Sequence, residues 1–218
     1  MALMTAGLFW WAAVGGPSPG LRVARAVEAP ALVLDPARLA VLQSGDLVFR
    51  RSRTLWGDIA VEFSSRDQRF SHVGIVYRDA SGLYVIHAIG NPVTRAGKVR
   101  RVSLGRFLEN SRDVGFYRLR LAPAKRRAVA EAALDHARRG TPFDADFSLD
   151  SSDSVYCTEL IWRVVRQAAG VEIVDHKEIA FGAAYVALDD IYLGPHVAAL
   201  DVPAPMVAEV ENLGDGRE

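Results

Sequence analysis

Only one cysteine occurs among the 218 residues, Cys157, so no intramolecular disulfide can form, and neither a reducing nor an oxidising compartment is excluded. Net charge is missing too: 26 basic and 26 acidic side chains cancel. A chain without an overall field gives no argument for a nucleic-acid partner or an anionic surface, so partners must be argued from a site. Long apolar runs are also lacking. Residues Met1 to Leu21 carry no charge, but their apolar stretch, Ala6–Val14, is too short to span a bilayer as a helix and is broken by Gly15, Gly16, Pro17 and Pro19. With Ala24-Arg25-Ala26 as a small-x-small site, residues 1–26 resemble a secretory signal that lacks a basic start. Export to the periplasm or cell envelope is therefore expected; if retained, the segment would keep the protein near a membrane. No cysteine lies there to carry a lipid. Repeats and low-complexity tracts are absent as well.

What remains suffices for a core, since half of the residues are apolar and the length suits one domain. That domain is expected over residues 32–210, with a frayed tail at 211–218. "RLAVLQSGDLVFRRS" reads as a short helix, a turn at Ser44-Gly45-Asp46 and a strand Leu47–Arg50. "LWGDIAVEF" reads as a short helix. The β-branched and aromatic runs Arg69–Tyr77 and Leu83–Gly90 flank "RDASG" and predict a hairpin. Lys98–Leu104 and Gly115–Leu121 add strands, with a short helix "GRFLEN" between them. Pro123 opens a helix that Gly140 stops, its Arg and Lys residues forming a solvated face. A second helix follows, capped by Asp153 or Ser154, with Leu160, Ile161, Val164, Val165 and Ala168 at helical spacing and Gly170 as its end. Short apolar pieces after Val171 wrap the domain. The order of elements predicts an α+β fold.

Cys157 thus falls in the first turn of a helix, where the dipole and unpaired backbone N–H groups favour thiolate and can hold an oxyanion. The plain alternative is a buried small hydrophobe. Five histidines could serve as its base. His136 lies among arginines, and His176 and His196 lie in the irregular tail, so these three read as surface or capping residues. His72 and His87 instead interrupt apolar strands. If the hairpin loop holds an even number of residues, for instance Asp79 to Gly82, the two share a sheet face, and His87 can orient His72 toward Cys157. An odd loop would separate them. Gly74, on the same face as His72, leaves room for a substrate or the helix end. Zinc on Cys157, His72 and His87 is conceivable by ligand count, but no further ligand spacing supports a metal.

"FSHVGIVY", "YVIHAIG" and "GTPFDADFSLDSSDSVYCTELIW", taken together, resemble the YiiX-like, circularly permuted branch of the NlpC-type papain-like cysteine hydrolases. Lecithin retinol acyltransferase is a more distant relative of that group. The resemblance covers about Gln43 to Val171, with "LDDIYLGP" similar to a family tail. It implies a permuted papain-like fold: an antiparallel sheet packed against helices, the histidine strand preceding a cysteine at a helix N-terminus. It also implies Cys157 as nucleophile, His72 as base and His87 in the third polar position, with no cofactor. Cys157 would attack a carbonyl as a thiolate paired with protonated His72, and water would later release the acyl group. The Cys157 N–H is the expected oxyanion donor. Tyr156 either walls the pocket or is a buried aromatic, and Glu159 complements the helix N-terminus. Peptides or acyl amides are the expected substrates, cell-wall peptides first. Lipid acyl amides, esters or thioesters are the enzymatic alternative, and a silent ligand-binding module is the alternative from another class.

Overall fold

Two runs of β-branched and aromatic residues joined by only Ala80 and Ser81 form the centre of the molecule, β3 (His72–Asp79) and β4 (Gly82–Asn91). The computed structural model describes residues 32–33, 39–180, 182–201 and 206–207; the signal-like segment at 1–26 and the tail at 211–218 lie outside the described residues. Besides the hairpin, β2 (Asp46–Ser52), β5 (Ala96–Ser103), β6 (Ser111–Leu119) and β9 (Val197–Ala199) build one antiparallel sheet in the order β5-β4-β3-β2-β6-β9. β1 (Leu32–Val33) pairs with β10 (Met206–Val207), and β7 (Glu178–Ala180) with β8 (Ala183–Tyr185). The helices are α1 (Leu55–Ala60), continued by a 3-10 turn at Val61–Phe63, α2 (Leu104–Leu108), α3 (Pro123–Arg139), α4 (Cys157–Ala169) and α5 (Leu188–Tyr192).

Alternation along the strands divides the core between the two sheet faces. Leu47, Phe49, Val73, Ile75 and Ile86 point to the face covered by α3 and α4, while Val48, Val76 and Val85 pack with Leu104, Phe107 and Leu108 of α2. In α4 the periodic residues Leu160, Ile161, Val164 and Val165 are all fully buried, each worth about 1.5–3 kcal/mol relative to exposure. This stripe holds the helix, and hence its first residue, against the hairpin. Gly140 and Gly170 end α3 and α4 in the left-handed conformation, as the sequence predicts.

The short helix expected before β2 includes Leu39, its earlier part lies outside the described residues, and residues 40–43 are turn and irregular chain. Asp46 accepts the Gln43 N–H at 2.8 Å and Arg78 Nε donates to the Leu42 carbonyl at 3.0 Å. One local expectation is corrected. The cap of α4 is Tyr156, not Asp153 or Ser154. Val155 is still extended there: it bridges to Phe143 and donates its N–H to Pro142 at 3.0 Å, so the helix starts only after it. Glu159 reaches back to accept the Tyr156 N–H at 3.2 Å, the service to the helix N-terminus read from the sequence.

Candidate active site

The hairpin loop is even, and the two histidines meet. Asp79 pairs with Gly82, so side chains of His72 and His87 fall on one face, and Nε2 of His72 lies 2.8 Å from Nδ1 of His87. The Phe107 ring fixes both: it stacks with the His72 ring at 5.5 Å and takes the His87 ring edge-on at 5.1 Å. Only one nitrogen of His72, Nδ1, is left for another partner. His87 is almost fully buried, whereas His72 is partly open.

Cys157, the first residue of α4, comes to the same place from the other side of the hairpin. The ladder between β3 and β4 runs from Asp79↔Gly82 to Ile75↔Ile86. Beyond it, the backbone N–H of Val73, the residue after His72, joins those of Thr158 and Cys157 in favouring the Cys157 thiolate. Donors of this kind, from one helix end and one strand, suit a thiolate or an oxyanion. "GTPFD" secures the approach to the helix. Val99 donates to the Thr141 carbonyl at 2.8 Å, Phe143 to Gly97 at 3.0 Å, and the buried Asp144 carboxylate accepts the N–H groups of Asp146 and Ser148 at 2.9 and 3.2 Å.

His72 and Cys157 open into a cavity of about 410 Å³. Its walls are mainly apolar and aromatic, with Trp56 and Ile59 of α1 on one side and Phe143, Phe147 and Tyr185 on the other. Tyr156 fills both roles the sequence left open. It lines the cavity, is buried to 3% exposure, and its hydroxyl accepts the Val186 N–H at 2.8 Å. Gly74 does not line the cavity. A Cβ there would lie 2.3 Å from Val85 Cγ1 and 3.2 Å from the His87 Cβ, so the missing side chain admits β4, not a substrate.

Electrostatics differ from the expected ion pair. Burial pushes the Cys157 thiol up to about 11, although the three N–H groups and the Arg50 charge pull the other way. Burial, then the positive fields of His87 and Arg50, holds His72 well below its ordinary 6.5. Burial and the charges of Arg50 and Arg100 bring His87 down to about 3. Burial thus favours the neutral thiol and the neutral imidazole, against the pull of the helix end. The remaining histidines stay apart from the site: His136 holds the Thr141 hydroxyl at 3.0 Å, and the backbone carbonyl of His196 accepts from Arg120. His176 is exposed. Arg50 and Phe107 belong to the site but were not singled out from sequence; the apolar pair Phe107-Leu108 in the short polar helix "GRFLEN" was the available signal for Phe107.

A family model described as "permuted papain-like amidase enzyme, YaeF/YiiX, C92 family" matches residues 41–187. The uncharacterized protein YiiX of Escherichia coli strain K12 is 25% identical over 158 residues, 70% of this chain and 69% of that protein. The crystal structure of a protein titled metalloprotein yiiX, from Escherichia coli O157:H7, shares the fold with a TM-score of 0.61 at 21% identity, covering 75% of this chain and 98% of that one. Among the described residues of the present chain, no group of three or more His, Cys, Asp or Glu side chains is arranged to hold a metal ion.

Proposed function

This chain belongs to the permuted papain-like amidase family, and from that premise we propose that it is a cysteine amidase working through Cys157, His72 and His87. The observation that carries this reading is the 2.8 Å contact of His72 with His87, beside a thiol at a helix N-terminus in one cavity. His72 Nδ1 takes the thiol proton as the sulfur attacks the amide carbonyl, and the N–H groups around Cys157 receive the oxyanion. Collapse of the tetrahedral intermediate breaks the C–N bond while His72 returns the proton to the leaving amine. Water, activated by His72, then cleaves the thioester and releases the acid. The neutral resting state makes His72 a general base rather than half of an ion pair.

A second reading concerns the acyl group. The aromatic and aliphatic walls favour an apolar acyl chain over a polar cell-wall peptide, since the cavity offers polar peptide groups few partners. The signal-like residues 1–26 support export of the activity.

Release of a chromogenic amine from N-acyl anilides, compared in the wild type, Cys157→Ala and His72→Ala, tests the amidase reading. Turnover lost in Cys157→Ala and reduced at least about a hundredfold in His72→Ala is expected for a nucleophile and its base. Equal turnover in all three would overturn it.

A further inference from the structure

We propose that Arg50 is the counter-charge of this site: its guanidinium stabilises the thiolate of Cys157 and the oxyanion that follows. The proposal rests on Cys157 being the nucleophile. Arg50 stands directly across the sheet from His72, the two forming an opposed pair of β2 and β3. Its Nη1 donates to the Phe107 carbonyl at 2.7 Å and the Glu109 carbonyl at 3.1 Å, and its Cζ sits 5.0 Å above the same Phe107 ring that stacks with His72. The guanidinium is thus held beside the proposed base by two carbonyls and a ring.

Its charge has no carboxylate partner among the described residues. Arg118 is paired with Asp46, and Arg69 with Asp113, through two bonds each. Arg50 has only carbonyls, and its Nε is buried without a hydrogen-bond partner. It is also the one Arg, Lys, Asp or Glu among the described residues lining the cavity. A largely desolvated cation without a bonded carboxylate is costly, and a negative charge arriving nearby offsets that cost. The reaction supplies one, on sulfur and then on the carbonyl oxygen.

Besides the backbone N–H groups, no other side chain among the described residues lining the cavity carries a fixed positive charge. His72 on β3 and His87 on β4 are both held neutral by burial and neighbouring positive charge. Tyr156 has its hydroxyl on Val186, and Glu159 faces the Tyr156 N–H and Arg163. Glu109 holds Arg50 through its backbone carbonyl, while its carboxylate, ion-paired with Arg106, adds a favourable field at Arg50 without bonding to it. Burial above all, and the charge of Arg50 least, favour the unprotonated form of His72, in which it can act as a base.

The rate of alkylation of Cys157 by iodoacetamide, followed against pH, reads thiolate directly and needs no turnover, so it stands even if the amidase reading fails. Arg50→Gln keeps a donor for the Phe107 carbonyl but removes the charge; Arg50→Lys keeps the charge but loses the fork. The expected result is a curve for Arg50→Gln displaced to higher pH by about one unit or more, with alkylation at pH 7 slowed about tenfold, while Arg50→Lys stays near the wild type. Melting curves identify any variant that does not fold; Arg50→Met is then compared with Arg50→Lys in the same assay. Superimposed curves for wild type and the neutral variant, or equal displacement in the neutral and lysine variants, would overturn the proposal.

Discussion

Nε2 of His72 and Nδ1 of His87 are 2.8 Å apart, and with both rings neutral this contact dictates the tautomers. For His72 to accept a proton at Nδ1, its own proton must sit on Nε2 and point at a bare Nδ1 of His87. His87 then carries its proton on Nε2. When His72 becomes imidazolium, no rearrangement of the pair is needed. A histidine in this position gives direction without the negative charge of a carboxylate, which is consistent with a base that is neutral at rest.

Buried neutral histidines make stability depend on acid. His87 titrates near 3 in the folded chain and near 6.5 when unfolded, so below about pH 6.5 the unfolded state binds the additional proton. Its contribution is complete above pH 6.5 and is lost as the pH falls toward 3, by up to about 1.4 kcal/mol per pH unit. Glu159, raised to about 7 by burial despite Arg163, works in the opposite direction over part of that range. Comparing wild type with His87→Asn cancels the Glu159 contribution. Urea unfolding between pH 7 and pH 4 should show a shallower loss in the variant by roughly this slope; parallel curves would contradict it.

Gly74→Ala should damage both fold and site. The new Cβ would meet Val85 Cγ1 at 2.3 Å, the Ile86 carbonyl at 3.1 Å and the His87 Cβ at 3.2 Å. Overpacking of this kind costs about 1–3 kcal/mol. Because β4 must shift, His87 shifts with it, and a misplacement of about an ångström can cost on the order of a hundredfold in rate. Denaturant midpoints and turnover, measured together, should both fall.

Tyr156→Phe removes the acceptor of the Val186 N–H and keeps the ring that walls the cavity. A buried donor left unpartnered costs about 1–3 kcal/mol. Chemical unfolding should show that loss, while alkylation of Cys157 changes little, since the tyrosine hydroxyl does not serve the sulfur.

An acyl chain that fills the apolar cavity should gain affinity as it lengthens. Each added methylene buried is worth about 0.8 kcal/mol, so KM for N-acyl anilides should fall about fourfold for each carbon until the cavity is full. A flat series, or a preference for charged peptides, would count against the apolar reading.

The core of the site was legible in sequence because it rests on two periods. Period two along β3 and β4, with a two-residue loop, puts His72 and His87 on one face; the helical spacing of Leu160, Ile161, Val164 and Val165 puts Cys157 at a helix start. What was not legible depends on distant parts of the chain. Asp153 and Ser154 are good capping types, yet the bridge of Val155 to Phe143 moves the helix start past them. Arg50 reads as an ordinary strand-end cation until the carbonyls of Phe107 and Glu109, 57 and 59 residues away, are brought beside it. Gly74 looked like space for a ligand, and β4 occupies that space. The desolvation that opposes a thiolate at the helix N-terminus follows from burial and was not readable from local sequence.

The central claim, covalent catalysis by Cys157 with His72 as base, is tested most directly by intact-mass analysis of the protein mixed with an activated acyl ester. The expected result is an acyl adduct on Cys157 in wild type that decays with time, an adduct that forms and decays far more slowly in His72→Ala, and none in Cys157→Ala. An adduct of equal rate in His72→Ala, or product release by Cys157→Ala without one, would contradict it.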